Sequence, residues 1–174
     1  NNFFDEKNRK SKIADFQDLE HLDGISISTV SAGLYDEKRD DLVLFYFRDG
    51  ASHASVFTQS KILSENIKWN KKIKSNNVRA LLVNTKNANA LTGASGFDSL
   101  KQLSNDLSKQ LSEKQILDDE NPDIIKSNEI LFACTGTIGE KFPLNKIKNA
   151  IPNLVKNIKY CLLYTSDAAD ESSS

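Results

Sequence analysis

The stretch Ile130–Gly139, ILFACTGTIG, runs from an apolar segment directly into a Thr-Gly-x-x-Gly turn. Its apolar part, within residues 129–133, predicts a buried strand that opens into the turn. Such a turn places a hydroxyl and free backbone N–H groups side by side, where they could hold a developing negative charge. Acyl-transfer enzymes stabilise a tetrahedral oxyanion in this way. Thr and Gly after a strand more often form an ordinary turn, so the stretch alone leaves both interpretations open.

A second segment, Val83–Gly93 (VNTKNANALTG), also joins an apolar run to a polar loop. Residues 78–83 predict another buried strand, and three asparagines follow it, Asn84, Asn87 and Asn89. Asparagine accepts turn and left-handed conformations and can bond to nearby backbone, so we interpret Asn84 and Asn89 as structural supports for the loop. If the two strands are parallel, their carboxyl ends bring both loops to one edge of the sheet.

Three further strands are predicted nearer the start of the chain. Alternating and apolar runs indicate residues 25–33, 42–47 and 54–58. Ile25, Ile27 and Thr29 share one face of the first of these strands. The second is apolar throughout, which is typical of a strand covered on both faces, and the pair Asp49–Gly50 is expected to close it.

Two helices are predicted in the second half of the chain. Leucines at three- and four-residue steps indicate a helix from Phe97, with Ser95 as its N-cap and an inner face of Leu100, Leu103, Leu107 and Leu111. A second helix is expected from Leu144, with a kink or break at Pro152. The order strand, loop, helix, strand predicts a βαβ unit after an antiparallel meander. The expected fold is therefore a mixed, layered α/β domain.

The composition excludes several classes of function. The 174 residues are 39% hydrophobic and 27% charged, with a net charge of −1. No segment approaches the ~18 apolar residues of a membrane span and the start is not a signal peptide, so we expect a cytoplasmic protein without a membrane partner. Because the net charge is near zero, the basic run at residues 68–74 predicts a solvated edge, and no nucleic-acid partner is expected.

The side chains that most often carry chemistry lack the spacing that such sites require. His21 and His53 fit neither a metal site nor a catalytic triad, and two cysteines cannot form a disulfide framework or a zinc site. Cys134 is more typical of a small buried residue than of a nucleophile. The turn at Thr135–Gly139 lacks the lysine of a phosphate-binding loop. No metal and no nucleotide are expected.

Composition also divides the chain. Residues 1–14 form a polar N-terminal segment, residues 15–160 the predicted domain, and residues 161–174 a tail without Lys, Asn or Ile. Residues 161–171 resemble the translation of a sequencing-library adapter, so we expect the tail to be non-native and disordered and the native sequence to stop near Tyr160. The chain contains no methionine, which indicates a processed or missing start.

Three ordered motifs resemble the ornithine acetyltransferase / glutamate N-acetyltransferase family of arginine biosynthesis. The first comprises early segments that include Ala32-Gly33, Arg39–Leu42 and Ser55–Thr58. The second is the asparagine-rich segment Val83–Gly93, and the third runs from Thr135 through Gly139 to Pro143. The resemblance extends over roughly residues 18 to 158.

This resemblance implies a layered α/β sandwich of the DmpA/ArgJ type, incomplete here because the chain is truncated. In the family, a precursor cuts itself ahead of a threonine, which takes the acetyl group from N-acetylornithine and passes it to glutamate. The family's oxyanion hole corresponds to Thr135 and Gly136. The resemblance also implies a β chain of the same precursor as partner in an α/β hetero-oligomer. No resident cofactor is implied, although bifunctional members can use acetyl-CoA as the acetyl donor.

Two departures from the family pattern affect these expectations. Lys86 stands where the family usually has Gly, and the nucleophilic threonine is expected beyond residue 160. We therefore expect this chain alone to be inactive and unable to cut itself. A non-enzymatic module that binds a small molecule or anion at the Thr135–Gly139 turn remains an alternative, as does a related self-processing aminopeptidase.

Overall fold

A computed structural model describes residues 24–158, which form one four-stranded sheet with helices packed on one of its faces. In chain order the elements are β1 (Ile25–Val30), β2 (Leu42–Ser52), α1 (Glu65–Lys72), β3 (Asn77–Asn84), α2 (Gly93–Asp118), a short 3-10 helix (Ser127–Glu129), β4 (Ile130–Cys134) and α3 (Leu144–Lys156). The predicted segments 1–14 and 161–174 lie outside the described residues, as does His21.

The sheet has the strand order β1-β2-β3-β4. β1, β2 and β3 pair antiparallel, whereas β3 and β4 pair parallel. The parallel pair is joined through α2, because parallel neighbours need a long crossover connection. Both the antiparallel meander and the βαβ unit that the sequence predicts are therefore confirmed.

The main core lies between the sheet and helices α2 and α3. The four leucines predicted on the inner face of α2 are fully buried. From the sheet, the matching buried side chains are Leu42, Leu44, Tyr46, Ala80, Leu82, Ile130 and Phe132. Ile147, Ile151 and Leu154 of α3 complete this core. Burial of apolar surface is the main stabilising term for such a layer pair.

The opposite face of the sheet is also apolar, but no described element covers it. Ile27, Phe45, Leu81 and Leu131 are register partners in a row across all four strands. Ile27 is 56% exposed, and the other three side chains are half-buried. The expectation that β2 is covered on both faces is therefore wrong for residues 24–158.

In β1 the apolar side chains likewise lie on the uncovered face of the sheet. Ile25, Ile27 and Thr29 share a face, as predicted, but it is the open one. Ser26 and Ser28 face the helices instead, and the Ser28 hydroxyl donates a 2.7 Å hydrogen bond to the carbonyl of Leu154. That bond satisfies a buried hydroxyl, which explains how a serine occupies the core side.

Several predicted boundaries are wrong. β1 ends at Val30 instead of residue 33, and β2 continues through Asp49–Gly50 to Ser52. The register between β2 and β3 shifts in this region, and Gly50 has a φ of +83°, so the pair marks a bulge inside the strand. Residues 54–58 have no regular structure and are mostly exposed, with Val56 fully so.

The helices differ from prediction at their ends and at one proline. α2 begins at Gly93, four residues before Phe97, with Thr92 as N-cap, so Ser95 lies in the first turn. α3 continues unbroken through Pro152, which is an exposed residue. Of the two expected alternatives, the break is therefore wrong, and the kink stays a prediction.

Helix α1 was not predicted, and it contains most of the basic run at residues 68–74. Trp69 and Asn70 attach it to the edge of β4: the Trp69 indole donates a 2.9 Å hydrogen bond to the carbonyl of Ile130, and Asn70 bonds both the amide and the carbonyl of Phe132. Trp69 and Asn70 are half-buried by these contacts, while Lys71 and Lys72 remain exposed. Across residues 24–158, no helix combines the length and apolar character that a bilayer crossing requires.

Candidate functional site

The loops after β3 and β4 lie together at one edge of the sheet, as the parallel pairing predicts. Four backbone hydrogen bonds join them. The amide of Thr135 donates to Asn84, that of Thr137 to Lys86, that of Ala88 to Thr137 and that of Gly139 to Ala90, at 2.8–3.1 Å. The asparagine-rich loop therefore continues the sheet pairing and fixes the Thr-Gly turn.

The turn presents two polar groups to solvent. Thr135 and Gly136 are both exposed. Within residues 24–158, neither the Thr135 hydroxyl nor the Gly136 N–H has a hydrogen-bond partner. Donors without partners on an exposed turn are the groups that could bind an oxyanion.

Gly136 is at this position for a steric reason. Its φ is +133°, which side chains rarely adopt. A Cβ here would also collide with the carbonyl group of Lys86 and the amide nitrogen of Asn87. The turn and the neighbouring loop consequently approach at backbone contact, which only glycine permits.

The asparagine side chains hold the loop from inside. Asn84, Asn87 and Asn89 are at most 4% exposed. Asn84 donates to the carbonyl of Asn87 at 2.8 Å, and Asn87 donates to the carbonyl of Lys141 at 3.3 Å and accepts the amide of Asn89 at 2.8 Å. These contacts agree with a structural role for Asn84 and Asn89.

Asn89 also connects the loop to the start of α2. Its amide donates to the carbonyl of Gly96 at 3.2 Å, and its side-chain oxygen accepts the Thr92 hydroxyl at 2.7 Å. A Cβ at Gly96 would collide with both of these oxygens. The first turn of α2 is thus packed directly on Asn89, which explains why the helix starts earlier than the leucine pattern indicates.

Three non-glycine residues of this loop have left-handed backbone conformations: Lys86, Asn89 and Leu91, with φ of +71°, +48° and +57°. Asparagine tolerates this region, whereas lysine and leucine are strained there. Lys86 is therefore a strained position whose peptide group lies against Gly136.

The charged end of Lys86 lies near two residues of the β1–β2 loop. Its Nζ is 5.5 Å from the ring centre of Tyr35, and the Arg39 guanidinium is 4.5 Å from the same ring centre. No sequence pattern indicates this cluster, because its members come from separate loops. The only local signal is the charged turn at residues 36–41.

Cys134 and His53 do not add a second reactive centre. Burial raises the pKa of the Cys134 thiol to about 12, so the thiol is neutral at physiological pH and is a poor nucleophile. His53 is half-buried far along the chain from the turn, in the segment after β2. No group of acidic, His or Cys residues among residues 24–158 could hold a metal ion.

Two open clefts lie beside the start of α2. One, of about 510 Å³, is lined by residues that include Leu63, Lys72 and Phe97. The other, of about 530 Å³, lies between α2 and residues 141–146. Neither of these two clefts is lined by Thr135 or Gly136, and both of these residues are exposed.

The chain is similar to proteins of arginine biosynthesis. The model of the ArgJ family matches residues 26–172. The arginine biosynthesis bifunctional protein ArgJ of Bartonella henselae is 35% identical over 144 residues, which are 82% of this chain and 32% of that protein. Its counterpart in Caulobacter vibrioides is 30% identical over 148 residues, or 83% and 34% of the two chains. The chain thus spans about a third of the length of these curated relatives.

Two solved structures of related proteins have a similar fold. The arginine biosynthesis bifunctional protein ArgJ of Bacillus halodurans matches with a TM-score of 0.63 and 25% identity, covering 74% of this chain and 61% of that one. Ornithine acetyltransferase of Mycobacterium tuberculosis, complexed with ornithine, matches with a TM-score of 0.70, covering 78% and 68%. Its 23% identity supports the fold alone. The predicted mixed α/β fold and family resemblance are confirmed, and this chain belongs to the ArgJ family.

Proposed function

We propose that this chain is part of an acetyltransferase that moves an acetyl group from N-acetylornithine to glutamate, with Thr135 and Gly136 as its oxyanion hole. The observation that supports this most directly is the exposed pair formed by the Thr135 hydroxyl and the Gly136 N–H, without partners in residues 24–158 and beside a loop fixed by four backbone bonds. Preorganised donors need no rearrangement when charge develops, which is the main requirement of such a hole.

In the proposed reaction, a threonine hydroxyl from a part of the protein outside this chain attacks the acetyl carbonyl of N-acetylornithine. The carbonyl electrons move onto oxygen, and Thr135 and Gly136 each donate a hydrogen bond to that oxyanion. Collapse of the intermediate breaks the C–N bond, and ornithine leaves with a proton. The amine of glutamate then attacks the acetyl-threonine ester, and the same two donors stabilise the second oxyanion. Collapse of this intermediate breaks the ester C–O bond, and the threonine hydroxyl takes up the proton that the amine loses.

The test is a kinetic and mass-spectrometric analysis of the full-length protein that contains this chain. Parallel double-reciprocal plots for the two substrates, together with one acetyl group added to the protein by N-acetylornithine alone, are the expected results. Transfer without an acetylated protein would contradict the covalent route. Release of amino acids from peptides instead would favour the self-processing aminopeptidase, and ligand binding without turnover would favour the binding module.

We also infer that a second chain of the same precursor covers the open face of the sheet. The row Ile27–Phe45–Leu81–Leu131 is too apolar to be an ordinary solvated surface, and large exposed apolar patches are typical of interfaces. The curated relatives are about three times longer than this chain, which leaves ample sequence for another layer. That layer would also supply walls around Thr135 and Gly136.

The remaining expectations follow from the same proposal. The reaction moves an acyl group between two amino acids, so it needs no resident cofactor, and acetyl-CoA would enter only as an alternative donor. Water-soluble biosynthetic substrates favour action in the cytoplasm. A full-length protein that forms N-acetylglutamate from acetyl-CoA and glutamate would be bifunctional, and one that needs N-acetylornithine would not.

A further inference from the structure

Lys86 combines a strained backbone with a close approach to the proposed oxyanion hole. Its φ of +71° lies in the region that glycine adopts without cost and that other side chains rarely enter. Its carbonyl accepts the amide of Thr137 at 2.9 Å, and its peptide group lies against Gly136. Strain of this kind is often retained where a side chain has a function, so the question is what its ammonium group does.

The ammonium group of Lys86 shares an aromatic ring with a second cation. Nζ of Lys86 and the guanidinium carbon of Arg39 are 5.5 and 4.5 Å from the ring centre of Tyr35, so the two charges lie at most about 10 Å apart. Two positive charges at that distance repel each other, and a bound anion near both of them would offset the repulsion.

Neither cation is neutralised by a carboxylate of the described segment. Among residues 24–158 no Asp or Glu oxygen lies within 4.0 Å of Lys86 or Arg39. Two acidic residues of the same loop have other partners: Asp40 accepts the hydroxyl of Thr29 at 2.5 Å, and Asp41 accepts the amides of residues 32 and 34. The other two, at positions 36 and 37, are exposed and form no ion pair with either cation. The pair therefore retains its positive charge at the sheet edge that carries the turn.

We propose that Lys86 and Arg39, held on the ring of Tyr35, form a cationic site that selects an acyl acceptor with a carboxylate side chain. This inference rests on the proposed function and adds a specificity role to it. Glutamate carries a net negative charge at neutral pH, whereas N-acetylornithine carries one carboxylate and one ammonium group and is neutral overall. A cationic site at the same edge of the sheet as the turn therefore favours the acceptor over the donor.

The two half-reactions of a ping-pong enzyme allow this difference to be measured in the full-length protein. Lys86→Asn removes the charge while keeping a residue that tolerates a left-handed backbone, and Lys86→Arg keeps the charge. We expect Lys86→Asn and Arg39→Gln each to lower kcat/KM for glutamate by about fivefold, mostly through KM, with less than about a twofold change for N-acetylornithine. Lys86→Arg should stay close to the parent protein, and added salt should reduce the glutamate difference.

Equal losses for both substrates, or the same loss in Lys86→Arg as in Lys86→Asn, would overturn the inference and indicate a purely structural role. A second readout does not depend on turnover. Glutarate, but not neutral glutaramide, should slow the labelling of Lys86 by an amine-reactive acetylating reagent, as measured by peptide mass spectrometry. An absence of acetyl transfer in the parent protein would contradict the proposed function, while the labelling would still decide whether the cationic site exists.

Discussion

The carbonyl oxygen of Lys86 accepts a 2.9 Å hydrogen bond from the amide of Thr137. This bond spans the gap between the loops after β3 and β4, and it lies directly behind Gly136, where no Cβ would fit. The conformation of Lys86 is therefore part of the turn's geometry. A change at residue 86 can act on the backbone and on the charge separately, and the two effects can be distinguished.

We predict that Lys86→Gly stabilises the protein through the backbone. Glycine removes the strain of the left-handed conformation but loses more entropy on folding, so the net gain in the free energy of unfolding should be about 0.5–1 kcal/mol. Urea denaturation measures it. Lys86→Ala is the matched control, because it removes the charge and keeps the Cβ. Equal unfolding free energies for the two variants would contradict the strain argument.

We predict that Thr135→Ala lowers kcat of the full-length protein by ~10²-fold or more, because it removes one donor to the oxyanion. KM should change little, since the donor acts mainly in the transition state. Thr135 is exposed, so its replacement should not affect the free energy of unfolding, and Thr135→Ser should retain most activity. Steady-state kinetics that match those of the parent protein would remove Thr135 from the mechanism.

We predict that Asn89→Ala destabilises the fold by about 2–3 kcal/mol. The substitution leaves the carbonyl of Gly96 and the hydroxyl of Thr92 without their partner, and it puts alanine at a φ of +48°. Asn105→Ala, at an exposed position of α2, is the control and should change the free energy of unfolding by less than about 0.5 kcal/mol. Similar losses for the two variants would mean that Asn89 does not connect the loop to the helix.

The βαβ half of the fold could be predicted because one physical signal dominates each of its elements. The leucines of α2 follow the helical period and all face the core, and the strands before and after it are short apolar runs bounded by polar loops. Parallel pairing then brings Thr135 close to the asparagine loop without further information. The location of the candidate turn could thus be inferred from the sequence.

Other features depend on tertiary contacts that periodicity does not report. Ser28 lies on the core side because its hydroxyl reaches a carbonyl of α3, while Ile27 lies on the open side. Helix α1 is held by Trp69 and Asn70 at the edge of β4. Its charged sequence shows no apolar periodicity from which that contact could be predicted. The cluster around Tyr35 brings together loops that are about 50 residues apart in sequence, for which no local pattern exists.

We predict that Ile27→Asp weakens association with the second chain that we propose to cover the open face of the sheet. A carboxylate in a buried sheet interface would be desolvated without a partner, so recovery of the complex after co-expression should fall by at least about tenfold. Ile116→Asp is a closely matched control, because Ile116 is 59% exposed on α2 and Ile27 is 56% exposed on β1. Equal recovery of both variants would argue against an interface on this face.

The last prediction concerns Cys134 and alkaline pH. Burial raises the pKa of its thiol from 9.0 to about 12, so above pH 9 the unfolded chain loses a proton that the folded chain keeps. The contribution of Cys134 to the free energy of unfolding is complete below pH 9 and decreases as the pH rises towards 12. Between pH 8 and pH 10 the parent protein should therefore lose about 1 kcal/mol more than Cys134→Ala. The second cysteine of the chain, Cys161, is replaced by serine in both proteins so that only Cys134 differs. Urea denaturation at the two pH values gives the comparison, and parallel profiles would mean that the thiol titrates normally in the folded protein.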